Sequence, residues 1–229
     1  MSNGTEFDQQ LRSAMAELAD NFPLDKADGP YETLERVTAA AVELIRGIDH
    51  ADVLLIEADR FESVAATDAV AKELDDVQQR LQQGPCVQAA LADPLIRCTD
   101  LRADSRWPGF ASAATELGVH SMLSFQLYSN QHGVGALNLL GREPRTFTQE
   151  AEAVGAMLAT HAALALAAAN TQQQFTSALA SRDRIGQAKG VLMERFNIDA
   201  VRAFDLLIKL SQGTNTPVRE ISERVINAR

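Results

Sequence analysis

No proline occurs between Pro144 and Pro217, and no Asp, Glu, Lys or Arg between Glu152 and Arg182. Proline ends helices by removing an N–H and clashing with the preceding turn. Nothing in this run therefore forbids one helix from about Gln149 to Arg195. Val154, Met157, His161, Leu164, Ala168, Thr171, Phe175, Ala178 and Ile185 recur mostly at alternating steps of three and four. That is the seam of a coiled coil, and the small Ala side chains suit close packing. The spacing predicts a linking helix over residues 149–180 that pairs with a second copy, making a homodimer. The uncharged stretch is interrupted by Thr160, His161, Asn170 and the glutamines at 172–174, and is Ala-rich. It does not read as a ~20-residue membrane crossing, and no membrane partner is expected. Residues 1–27 carry a second stripe, Phe7, Leu11, Met15, Leu18 and Phe22, predicting an amphipathic N-terminal helix that could join the same bundle.

The charge is divided along the chain. The total is −10, yet after residue 180 nine Lys/Arg face six Asp/Glu, so a +3 tail follows a −13 body. A small basic module on an acidic chain points to a separate task for the tail, and polyanions are its natural partners. Apolar residues in the tail form three helical blocks: Ile185, Ala188, Val191, Leu192 and Phe196; then Val201, Phe204, Leu206, Leu207 and Leu210; then Val218, Ile221, Val225 and Ile226. Asp199 is the expected N-cap of the second helix, Gly213 its expected end, and Thr216-Pro217 the start of the third. Three short helices over residues 181–229 are too small for a deep catalytic cleft. Both Phe residues fall at core-like positions, so base stacking on aromatics is not expected to dominate.

The run IGQAKGVLMERF, then AFDLLIKLSQ, then NTPVREIS resembles the ANTAR domain, an RNA-binding module of bacterial antitermination proteins. The resemblance implies a helical bundle that dimerises through a preceding coiled coil, binds paired RNA hairpins and stops a terminator from forming. The family's third helix usually has a small Ala where this chain has Ser222. The residue types suit such a partner. Lys189, between Ala188 and Gly190, lets a nucleic-acid backbone approach a helix closely, and with Arg184 and Arg219 it supplies the salt-sensitive phosphate attraction. Ser211, Gln212 and Asn215 offer hydroxyl and amide groups for the edges of unstacked loop bases. Each has a plainer reading: Gly190 could permit tight helix packing, and Asn215 could merely cap a turn.

Residues 28–148 read as an α+β sensory domain. Leu34, Val37, Ala41, Leu44 and Ile45 mark a helix. Residues 52–57 and 62–66 make paired strands, 70–81 an amphipathic helix, 94–98 a short strand and 107–117 a helix. Residues 121–128 and 134–140 close a hairpin. An antiparallel sheet flanked by helices is expected. The phrases LQQGPCVQAA, DLRADSRWPGF, GVHSMLS and GVGALNLL, in that order, resemble GAF domains of the actinobacterial type fused to ANTAR modules. That resemblance implies a sensor of a small ligand or a dimerisation scaffold. The NKFDE run of cyclic-nucleotide-binding GAF domains is absent.

Reactive groups are few. Cys86 follows Gly84-Pro85 near the start of an expected helix, where a thiol pKa could be lowered; a buried Cys acting as a small hydrophobe is the plainer reading. Arg106, Trp107 and Pro108 either line a pocket or fix a turn, and the structural role is preferred for Trp107. The histidines His50, His120, His132 and His161 show no metal spacing, and no cofactor is assigned. The expected function is that of a cytoplasmic RNA-binding antitermination regulator, not an enzyme, with an unknown signal at the sensory domain. The alternative is a redox enzyme of the methionine sulfoxide reductase kind, using Cys86 and Cys98.

Overall fold

The computed structural model describes residues 29–57, 60–91, 93–130, 133–145 and 147–228. The expected helix within residues 1–27, with its Phe7-to-Phe22 stripe, lies outside them, as does His132. The chain divides into two compact units, one ending at Ala168 and the other beginning at Ala169.

In the first unit the elements run α1 (Pro30–Leu44), β1 (His50–Glu57), β2 (Arg60–Val64), α2 (Ala69–Leu81), α3 (Pro85–Leu91), β3 (Leu95–Cys98), α4 (Pro108–Glu116), β4 (Ser121–Asn130) and β5 (Gly133–Gly141). The five strands form one antiparallel sheet in the order β2-β1-β5-β4-β3. Because strand side chains alternate between faces, each strand feeds two cores. Val53, Leu55, Leu123, Phe125, Leu137 and Leu139 face α1, where Leu34, Val37 and Ala41 meet them. Ile96, Cys98, Met122 and Leu140 point the other way, onto Leu74 and Val77 of α2 and Phe110 and Ala114 of α4. Trp107 is buried at the N-cap of α4 with the Arg106 guanidinium 4.2 Å from its ring, so it is a packing residue.

The proline-free run forms a single helix, α5 (Gln149–Phe196). Its early part carries Val154, Leu158, Ala162 and Leu166 at helical spacing into the sheet's first core. Gly155 makes this fit possible, since a Cβ there would sit 2.6 Å from the Phe125 ring. Arg97 of β3 makes a bidentate pair with Glu152, with Nη2 2.7 Å from Oε2. The span Gln149–Gln172 has the length and composition to cross a membrane, but its inward stripe is core packing. The expected seam is split: Val154 is used by the unit's own core, while Leu164 and Phe175 are 63% and 62% exposed.

The second unit contains the later part of α5, then α6 (Ala200–Thr214) and α7 (Val218–Asn227). Asp199 caps α6 as expected, accepting from the N–H groups of Val201 (3.0 Å) and Arg202 (2.8 Å). Gly213 does not close it. The helix runs on to Thr214 and ends at Asn215, which takes the left-handed conformation (φ 48°) and donates its N–H to Ser211 O. Asn tolerates that region better than most residues. The bundle buries Ala188, Leu192, Ala203, Leu207 and Ile221, with Ile185, Ile198, Val218, Val225 and Ile226 at the margin. Ser222 is fully buried, and its Oγ donates to Val218 O at 2.8 Å. Its hydroxyl is thus satisfied within the helix.

Candidate nucleic-acid interface

The late part of α5 sets the geometry. Ala188 and Leu192 point inward, and the neighbouring Lys189 emerges at the bundle's edge, half-buried. Its Nζ lies 5.9 Å from the centre of the Phe204 ring on α6. Gly190 faces open space: a Cβ there would meet nothing within 4 Å. Tight packing is therefore not what the glycine serves. Ala188 is fully buried, so its part is to let α5 approach its neighbours, and it presents no surface of its own. Arg184 Nη1 pairs with Glu223 Oε1 at 2.9 Å, tying α5 to α7. Ser211 Oγ donates to Thr216 O at 2.6 Å and holds the turn closed. Gln212, Asn215 and Arg219 are exposed. The structure thus brings Lys189 onto a helix edge beside an open glycine, and sets Ser211 in the last turn of α6 and Asn215 just after it as shaping residues.

Sequence periodicity placed Phe196, Phe204, Leu206 and Leu210 in the core. They are exposed, Phe204 at 40% and Phe196 at 58%. Three short helices have too little facing surface to cover every apolar position, and the small Ala188 and Ala203 take the innermost places.

The sheet unit holds a different kind of site. Asp52, Asn138 and Ser124 are register partners across β1, β5 and β4, so they form one polar row on a single face. Asn138 Nδ2 donates to Asp52 Oδ1 at 2.7 Å, and Ser124 Oγ donates to Asn138 Oδ1 at 2.7 Å. Asp75 of α2 meets this row, with Gln78 Nε2 donating to its Oδ1 at 3.4 Å, and Gln78 Oε1 accepts the Cys86 N–H at 3.0 Å. All are buried. Burial first, and the neighbouring Asp75 charge second, push Asp52 well above the usual carboxylate range. Burial likewise lifts Asp75 to about 7.

The same setting supports the plainer reading of Cys86, a buried small hydrophobe, over an activated thiol. Its place in the first turn of α3 would lower a thiol pKa, but burial, with Asp75 and Asp52 adding to it, raises it well above normal. Cys98 rises to about 12 through burial and a hydrogen bond to Asp104. Both are free and buried, in different clusters of the core. His50 pairs with Asp68 and accepts from Arg142 Nε at 3.2 Å, a structural clasp. Among the described residues no group of three or more His, Cys, Asp or Glu is placed to hold a metal ion.

Comparison with known proteins divides the chain at nearly the same place as its packing. The GAF domain model matches residues 27–167 and the ANTAR domain model residues 173–226. The anaerobic nitric oxide reductase transcription regulator NorR of Escherichia coli is 27% identical over 85% of this chain. The chain spans only 46% of that relative's length. The GAF domain of a phosphoenolpyruvate-protein phosphotransferase from Coxiella burnetii superposes with a TM-score of 0.55 at 19% identity, covering 76% of this chain and 99% of its own. The free methionine-R-sulfoxide reductase of Neisseria meningitidis superposes with a TM-score of 0.53 at 14% identity, covering 75% and 95%. At such identities these likenesses speak for the fold alone.

Proposed function

We propose, from the premise that the chain belongs to the GAF domain family and carries an ANTAR domain over residues 173–226, that it is a cytoplasmic, signal-controlled RNA-binding regulator of transcription antitermination. The observation that carries this reading is Lys189 at an open helix edge beside Gly190, in a domain whose net charge opposes that of the rest of the chain. Lys189, Arg184 and Arg219 attract phosphates, while Gln212 and Asn215, beside Ser211, read the edges of loop bases in paired hairpins. Ala188 acts by letting the helices pack. Two copies join through the exposed seam of α5, with Leu164 and Phe175 at its centre. The GAF domain takes the signal, and no chemical step is needed because binding supplies the free energy.

The reductase reading gains nothing from the thiols. A thiolate is the reactive form, and both cysteines are buried with raised pKa values.

The test is salt-resolved binding of the full chain to a synthetic RNA of two looped hairpins. Affinity should fall linearly on a log–log salt scale, and Lys189→Ala should weaken binding and reduce that slope by about one. Equal affinity for looped hairpins and an unstructured polyanion of the same charge would sink the reading.

A further inference from the structure

We propose that Phe204, with Lys189 over its ring, is a stacking platform for an unpaired RNA base. The tail domain would then hold a loop nucleotide by its flat face as well as by its phosphate. The proposal rests on the RNA reading above and adds a residue to it.

Phe204 lies between Ala203, which is fully buried, and the exposed Asp205, yet it remains 40% exposed. A large aromatic that a bundle needs for its own stability is normally covered. Here the inner places go to Ala203 and Leu207, leaving the ring at the margin. The Lys189 ammonium at 5.9 Å is within cation–π range. This is also the cation beside Gly190, where open space admits a sugar–phosphate backbone. An aromatic ring with a positive charge over it matches the two parts every nucleotide offers, a π-face and a phosphate. The apolar surface continues along Lys189's side of α5 through Met193 and Phe196, both exposed, at steps of four and three. Gln212 follows on the Phe204 side of α6 about two turns on, exposed and able to bond a base edge. A second copy of the chain is the poorer occupant, since Lys is depleted from the cores of protein–protein interfaces.

The experiment uses the full chain with two synthetic RNAs, a pair of hairpins with unpaired loop bases and the same stems closed by abasic loops. Phe204→Leu keeps apolar volume and should bind the looped RNA about 5- to 100-fold more weakly. Phe204→Trp should restore binding and add an emission that the looped RNA quenches and the abasic RNA does not. Neither variant should differ from wild type on abasic loops. The salt slope of Phe204→Leu should match wild type, unlike that of Lys189→Ala. Wild-type affinity in Phe204→Leu would overturn the platform, as would an equal loss on both RNAs, which marks a structural role. Loss of self-association in Phe204→Leu would also overturn it and assign the face to a second copy. If the wild-type chain binds neither RNA, the RNA reading itself falls and takes this proposal with it.

Discussion

The two units solve burial in opposite ways. The sheet unit hides polar atoms: Asp52, Asp75, Asn138, Ser124, Gln78 and His50 are all buried beneath helices. The tail leaves apolar atoms in water, with Phe196, Val201, Phe204, Leu206 and Leu210 exposed around five buried apolar side chains among the described residues. Burying polar groups costs stability unless they bond one another, and the sheet unit can bear this because two cores flank its sheet. Exposing apolar groups forgoes about 25 cal/mol for each Å² left in water, and a small bundle can recover that only from a partner. The first pattern suits a sensor whose state depends on protonation or a ligand. The second suits a surface completed by binding.

The contrast breaks first at Leu158. This residue is fully buried where α5 packs on the sheet, and Leu158→Ala should destabilise the sheet unit by about 2–5 kcal/mol. Leu207→Ala, in the thin tail core, should cost less because its surroundings are already partly open. Chemical denaturation followed by Trp107 fluorescence reports the first, and loss of helical circular dichroism the second. Equal costs would show that the tail core is as tightly built as the sheet's.

The buried acids give the next test. Asp75 is held at about 7 when folded, against 3.8 for a free side chain. A raised carboxyl favours the folded state fully only below the unfolded pKa, and its contribution is lost as pH rises toward 7. Asp75→Asn cannot ionise. Its melting temperature should therefore gain on wild type steadily between pH 4 and 7, then run parallel above. Carboxylates remote from Asp75 contribute equally to both proteins and cancel in the difference; Asp52, whose carboxyl the Asp75 charge helps to raise, titrates more easily in the variant. Parallel curves throughout would mean that Asp75 is solvated.

Smaller still is the cap of α6. Asp199→Ala removes the acceptor for two backbone N–H groups and should cost the tail about 1 kcal/mol, leaving the sheet unit's transition unmoved.

Alternating hydrophobicity made the strands legible, and the absence of proline gave α5 almost to the residue. What stayed hidden was long-range. Asp75 and Asp76 look alike in sequence, and only the phase of α2 against the sheet buries the first and leaves the second exposed. Cys86 leaves an activated thiol open in sequence, beside the plainer buried reading, until the fold buries it with Asp52 and Asp75 beside it. In the tail, helical period correctly found three helices but overstated their core. Period marks which residues share a face and does not say how much of a neighbour there is to cover them. Gly213 looked like a helix end because glycine is the usual terminator, yet Asn215 does that work.

Gly190→Ala gives the smallest effect and the cleanest separation of folding from recognition. Alanine is favoured over glycine within a helix by up to ~1 kcal/mol, and a Cβ at this position meets nothing within 4 Å. The variant should therefore be as stable as wild type or slightly more so. If a nucleic-acid backbone lies against this edge of α5, the added methyl occupies that space, and affinity for looped RNA should fall several-fold while stability rises. A mutation that improves the fold and impairs binding cannot act through misfolding. Unchanged affinity would move the contact surface away from Gly190 and toward Arg219 and the α6–α7 turn.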